Sequence, residues 1–166
     1  MKKIMMYVGM FVIMMINNYT AGATPVIDEA LTLIKTYEGF RSTPYVCPGG
    51  VKTIGYGQTD KSLISKGKIT EAEAEKALED EIIQLNNWIV ENHEVELTDT
   101  QRAALISLVY NIGKGAYLKS NLKKCIDAGK PYTTIHKEWS EWRKAGGKIL
   151  NGLIKRRAAE LAVYSK

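Results

Sequence analysis

A chain of 166 residues that is 45% apolar and 25% charged can bury a real core, and it is too balanced in composition for a disordered polymer. The formal net charge is +5, and Lys2 and Lys3 are the only charges before Thr24, so a chain beginning at Thr24 would carry +3. That excess is small and scattered, with no basic helix interleaved with aromatics, which argues against nucleic acid and leaves an anionic surface as the partner it would favour.

Met1 to Ala23 reads as a targeting segment: Lys2-Lys3 is the positive start, Ile4 to Ile16 is apolar, and Ala21-Gly22-Ala23 is an A-x-A cleavage pattern. The apolar run would span roughly 20 Å as a helix, short of the ~30 Å hydrocarbon core. A cleaved export signal over residues 1–23 is therefore expected, with a retained signal-anchor as the alternative.

From Val26 to Glu38, Ile27, Ala30, Leu31, Ile34 and Tyr37 recur at helical spacing, and Gly39 stops the helix. Alternating, β-branched segments flank the turn Pro48-Gly49-Gly50, which predicts a hairpin, and Gly67-Lys68-Ile69 is expected to add a third short strand. Thr70 with Glu73 forms a capping box that opens a long helix to about Glu91. Its apolar side is Ala74, Ala77, Leu78, Ile82, Leu85, Trp88 and Ile89, and its length suits a connector between two lobes. A second capping box, Thr98 with Gln101, opens a nearly all-apolar helix ending at Gly113, the expected centre of the C-terminal lobe.

Three shorter helices follow. Ser120 to Ala128 ends at Gly129 and turns Cys125 towards the core beside Leu122 and Ile126. Thr133 to about Lys144 carries Ile135, Trp139 and Trp142 and is broken by Gly146-Gly147. Asn151 caps a last helix through Tyr164, with Leu153, Ile154, Leu161 and Tyr164 inward. The class is α+β, mostly helical, with the hairpin confined to the N-terminal lobe. The lobes are expected at 24–70 and 93–166, joined by a helix over 71–92. His93 and His136 have no metal spacing and read as surface or lobe-packing residues, and neither metal nor cofactor is expected. No disulfide is expected between Cys47 and Cys125.

A carboxylate at a helix terminus facing a hairpin is one way to put an acid in a cleft wall. Glu38, Cys47 and Thr53 follow one another at intervals of nine and six, and Ile54-Gly55-Tyr56-Gly57 comes directly after. This spacing resembles the signature of the phage-type lysozymes, glycoside hydrolase family 24. The resemblance extends through Gln101 to Leu105, Val109 to Gly113, Ala145-Gly146-Gly147 and Gly152 to Glu160, and so covers nearly all of Thr24 to Lys166.

The resemblance implies a two-lobed lysozyme fold and a muramidase acting on bacterial peptidoglycan. The enzyme would be a monomer, exported across the inner membrane to the periplasm or beyond, with transient membrane contact through the N-terminal segment. Glu38 would be the general acid, because apolar packing and a helix C-terminus both favour the protonated carboxyl. Cys47 stands where the family usually has Asp. An ordinary thiol is mostly neutral at pH 7, and as a thiolate it could serve as base or attack the sugar itself. Thr53 would hold the attacking water between itself and Cys47. Thr59, Tyr110 and Ser120 match positions lining the saccharide cleft, and Gln58 stands where His is frequent. Arg156 or Arg157 is expected to reach Glu38. Two rival readings are a Cys-dependent peptidoglycan amidase or peptidase, with His93 or His136 as base, and a non-enzymatic wall-binding module.

Overall fold

The computed structural model describes residues 24–47 and 50–166, so the expected targeting segment lies outside the described residues. Helix α1 (Pro25–Glu38) starts with proline in its first turn and ends at Gly39, whose φ of 68° suits a residue without Cβ. Val26 and Leu33 join Ile27, Ala30 and Ile34 in the core, while Leu31 and Tyr37 are only half-buried. Strands β1 (Arg41–Val46) and β2 (Lys52–Gly55) pair antiparallel, with Tyr45 opposite Thr53 and Val46 opposite Lys52.

The expected third strand does not form. Its approach is taken by a short helix, α2 (Lys61–Ser65), capped by Asp60, whose carboxylate accepts from the Leu63 amide at 2.9 Å. Gly67 at φ 71° turns the chain away, and only the Ile69 amide reaches the hairpin, donating to Ser42 O at 2.9 Å.

Helix α3 (Glu71–Asn92) opens with the expected capping box. Glu73 takes the Thr70 amide at 2.9 Å and gives its own amide to the Thr70 hydroxyl at 3.2 Å. At 22 residues it runs ~33 Å, burying Ala74, Leu78, Ile82, Leu85 and Ile89 along one stripe. Helix α4 (Asp99–Ile112) has the second capping box and is the core's centre: Ala103 through Val109 are all buried, and α1, α3 and the last helix pack around it. Seven consecutive buried residues cover every face of the helix, so this stretch must be enclosed.

The C-terminal third departs from expectation in three places. A short helix, α5 (Lys114–Leu118), precedes α6 (Asn121–Asp127), which begins at the predicted cap, Ser120. Helix α7 (Tyr132–Ser140) ends before Trp142, and a second hairpin follows, β3 (Lys144–Ala145) against β4 (Lys148–Ile149), so strands are not confined to the N-terminal end. Gly146 and Gly147, at φ 56° and 77°, supply the two positive-φ positions of a type I′ turn, which closes a hairpin where a helix break was expected. Helix α8 (Asn151–Tyr164) includes Asn151 as its first residue and has no side-chain cap. It leaves Ile154 exposed and buries Arg156, Arg157 and Glu160.

Both cysteines are free, and Cys125 is half-buried against the core. His93 closes α3, and its side chain is only 1% exposed. The ring pairs Nδ1 with Asp127 at 2.5 Å and Nε2 with the Tyr117 hydroxyl at 2.9 Å, and Asp127 also accepts from Lys123 at 2.5 Å. This group fastens the end of α3 to α5 and α6. Burial lowers the His93 pKa, against the opposing pull of Asp127. The native state then holds fewer protons than the unfolded chain once pH falls below the ordinary histidine value, so stability is lost on acidification. Denaturant titrations from pH 7.5 to 5 should show wild type losing up to about 1.4 kcal/mol per pH unit below about 6.5, and His93→Gln following a flatter line. Parallel lines for the two proteins would refute a neutral buried His93.

Candidate active-site cleft

The last residue of α1, Glu38, has a side chain that is 23% exposed and meets α8 across the core. Arg156 Nη1 donates to Glu38 Oε1 at 2.5 Å, which settles which of the two arginines reaches it. The same guanidinium donates through Nε to Glu160 Oε1 at 3.1 Å and through Nη2 to Ser107 O at 3.0 Å. Glu160 is fully buried, and it also accepts from the Ser107 hydroxyl at 2.8 Å, Trp139 Nε1 at 2.9 Å and Arg157 Nη2 at 2.8 Å. An ion with no partner would cost several kcal/mol at this depth, so the two arginines and their donors are what allow Glu160 to be there. Arg157 itself is pulled below the usual arginine range by burial, with Glu160 opposing.

On the other side of Glu38 the chain passes at Gly57, whose φ of 97° a side-chain-bearing residue would resist. A Cβ placed there would lie 3.6 Å from both Glu38 Oε2 and the Tyr110 hydroxyl. Tyr110 on α4 donates to Tyr56 O at 2.8 Å. Burial pushes its hydroxyl far above the ordinary value, with the charges of Glu81 and then Glu38 adding to the effect, so it stays a neutral donor. Gln58 is buried and holds this loop to α3: Oε1 accepts the Tyr56 amide at 2.6 Å and Nε2 donates to Ala74 O at 2.9 Å. Tyr56 adds a 2.7 Å bond to Glu71.

Thr53 is buried in β2, and its hydroxyl lies 3.4 Å from Tyr45 O, a long and weak bond that leaves it able to take another partner. Half-buried Cys47 continues the ladder just past β1, giving its amide to Val51 O at 2.9 Å. Strand alternation puts Tyr45, Cys47, Val51 and Thr53 on one face of the hairpin, with exposed Val46 and Lys52 on the other. Thr59 is exposed and lines two surface cavities beside the hairpin.

Ser120 is only 8% exposed. Its hydroxyl donates to Tyr117 O at 2.6 Å and accepts from the Lys123 amide at 3.0 Å, so it serves first as the cap of α6. Neither histidine bonds to Cys47 among the described residues: the ring of His93 is occupied on both nitrogens, and exposed His136 packs edge-on to Tyr132. The pair that a cysteine amidase needs is not found there.

The buried roles of Ser107, Trp139 and Glu160 went unread in the sequence, although Arg156, Arg157 and Glu160 fall at i, i+1 and i+4, with one helix face as the available signal. Glu81, half-buried on α3 near Tyr110, was unread as well, and no motif marks it.

Known proteins resemble this chain in sequence and in fold. The Phage lysozyme family model matches residues 35–160. An endolysin of Acyrthosiphon pisum secondary endosymbiont phage 1 is 40% identical over 141 residues, covering 82% of this chain and 95% of that one. An endolysin of Bacillus phage B103 is 35% identical, and 82% of this chain covers only 52% of it, so the chain spans about half the length of that relative. A protein named SAR-endolysin from Bacteriophage PS119 is 36% identical, covering 74% of this chain and 73% of that one. Among solved structures, the muramidase domain of SpmX from Asticaccaulis excentricus aligns with a TM-score of 0.73 at 28% identity, covering 82% of this chain and 95% of that one. The fold, the acid at the end of its first helix and the match along most of the sequence lead to one assignment: this chain belongs to the phage lysozyme family.

Proposed function

We propose that this member of the phage lysozyme family hydrolyses the β-1,4 bond between N-acetylmuramic acid and N-acetylglucosamine in bacterial peptidoglycan, with Glu38 as the proton donor. The observation that carries the reading is the placement of Glu38, fixed by Arg156 on one oxygen and close to Gly57 and Tyr110 on the other. The Glu38 proton passes to the bridging oxygen as its bond to the anomeric carbon breaks, and the leaving sugar departs as an alcohol. Water held between Cys47 and Thr53 attacks that carbon from the far face. One water proton goes to Cys47 as thiolate, and the new C–O bond has inverted configuration. Arg156 then faces an ionised Glu38, and exchange with solvent restores both proton inventories. The shared hairpin face of Cys47 and Thr53 and the weakly held Thr53 hydroxyl support this route. No cofactor or metal enters it, and the enzyme acts as a monomer.

The likeness to a SAR-endolysin supports passage of the chain through the inner membrane to the periplasm, with residues 1–23 as the exporting segment. Among the described residues no helix is long and apolar enough to cross a membrane. Mass spectrometry of protein recovered from the periplasm should find Thr24 at the amino terminus, and an intact Met1 would assign the segment to a retained anchor.

Glu38→Gln should slow the clearing of a peptidoglycan suspension by about 10²–10⁴-fold in protein that is still folded, since it removes the proton and keeps the shape. Wild-type digests should gain reducing sugar ends; a gain of free amines instead would mean a peptidase or amidase. For Cys47, Ser should lose one to two orders of magnitude, on the order expected for a lost base, and Asp should restore activity. Full activity in Cys47→Ser would remove the thiol from the mechanism.

A further inference from the structure

A cavity of about 440 Å³ opens beside the cleft between the end of the hairpin and α3, lined by Gln58, Thr59, Asp60, Asp80, Glu81 and Gln84 among others. Three of these are carboxylates, and two of them are already engaged. Asp60 caps α2 through Leu63 at 2.9 Å and accepts from Ser62 at 2.5 Å, and Asp80 pairs with Lys76 at 2.5 Å. Gln58 has both ends of its amide committed to Tyr56 and Ala74.

Glu81 differs from them. Half-buried, it has no hydrogen-bond partner and no cation within 4.0 Å among the described residues. Burial raises its pKa, and only the more distant Lys114 opposes that; the Lys114 amine instead sits over the Trp88 ring, 5.3 Å from its centroid. A carboxylate taken partly out of water without a donor costs stability, so this position works against the fold in the absence of a ligand. Gln58, which lines the cavity, directly follows Gly57, where an added Cβ would lie 3.6 Å from both Glu38 Oε2 and the Tyr110 hydroxyl, so the cavity opens next to the proposed proton donor.

We propose that Glu81 is a substrate-binding carboxylate that accepts hydrogen bonds from a hydroxyl or N-acetyl N–H of a glycan unit lying across the cavity beside Thr59. The inference rests on the muramidase reading and adds to it a residue that grips the chain beside the cleaved bond. A glycan strand supplies many O–H and N–H donors, and a charged acceptor makes about twice as strong a bond to them as a neutral one. The negative charge also favours an N-acetylglucosamine unit there over a muramic acid unit with a free lactyl carboxylate.

The test uses the purified protein with two probes, the tetramer of N-acetylglucosamine and insoluble peptidoglycan. Glu81→Ala should weaken tetramer binding in calorimetry roughly tenfold and raise KM for peptidoglycan by a similar factor, with kcat within about twofold, the change expected when one charge-assisted bond is lost. Its thermal midpoint should hold or rise, because an unpaired carboxylate has gone. Glu81→Gln, which keeps an acceptor without the charge, should fall between wild type and Ala. Unchanged Kd and KM in Glu81→Ala would overturn the inference, as would a fall in kcat alone or a loss of activity that follows a lowered thermal midpoint. A wild type that releases no reducing ends fails at the muramidase reading itself, and the inference falls with it.

Discussion

Arg156 joins the two ends of the chain. Its partner Glu38 is 118 residues away in sequence, and its other partner, Glu160, is one turn further along α8. The buried carboxylate comes first in the logic. Glu160 can lie in the core only with cations and donors around it, and the arginine that satisfies it has N–H groups left over that point outward to Glu38. Glu38 is thus located by an obligation of the core, and anything that moves α8 against α1 moves its carboxylate. The charges have a chemical consequence too. With Glu38 ionised the cluster has two cations and two anions; with Glu38 protonated it has one cation in excess. Arg156 therefore meets a full anion at position 38 only in the charged form of Glu38.

The opposite wall is fixed by different means. The loop after β2 is held to α3 by the neutral amide of Gln58 and by the Tyr56 bond to Glu71, and Lys35 ties α1 to the same helix through Glu75. A titrating residue at position 58 would make the hairpin's seat depend on pH; glutamine does not. Position 55 must be glycine for the same seat to exist, since a Cβ there would lie 2.2 Å from Gln58 Oε1. The hairpin is placed by neutral hydrogen bonds and the acid by an ion network, so the two walls have separate sensitivities.

Where the sequence carried explicit chemical punctuation, the fold was legible. The two capping boxes set the starts of α3 and α4, and Gly39 and Gly113 marked the helix ends. Glu38, Cys47 and Thr53 stand out as candidates through motif spacing, which no periodicity argument supplies. The failures share a cause: the deciding partner was distant in sequence. Ile154 looked like core because a hydrophobic stripe was assumed for α8, whereas that face is given to Arg156, Arg157 and Glu160. His93 looked incidental until Tyr117 and Asp127 were brought to both of its nitrogens. The Gly146-Gly147 pair is the exception, because its deciding pairing is local: two glycines after a helix suit a break or a turn alike, and Ala145 with Lys148 makes it a turn.

Arginine at positions 156 and 157 looks redundant in the sequence, and the structure separates the two. Arg157 turns inward: it bonds Glu160 and reaches Asn111 at 3.2 Å, with burial lowering its own pKa. Arg156 uses its Nε and both terminal nitrogens on three residues, and its guanidinium carbon lies 5.8 Å from the Tyr37 ring centroid. A planar fork can serve Glu160, Ser107 and Glu38 in three directions at once. A lysine has a single nitrogen and can satisfy one carboxylate only by leaving the other, so even a charge-conserving exchange at 156 would release either the core or the acid. The same geometry orients Glu38 without a dedicated residue on the hairpin: one side chain, already required by the core, aims its carboxylate.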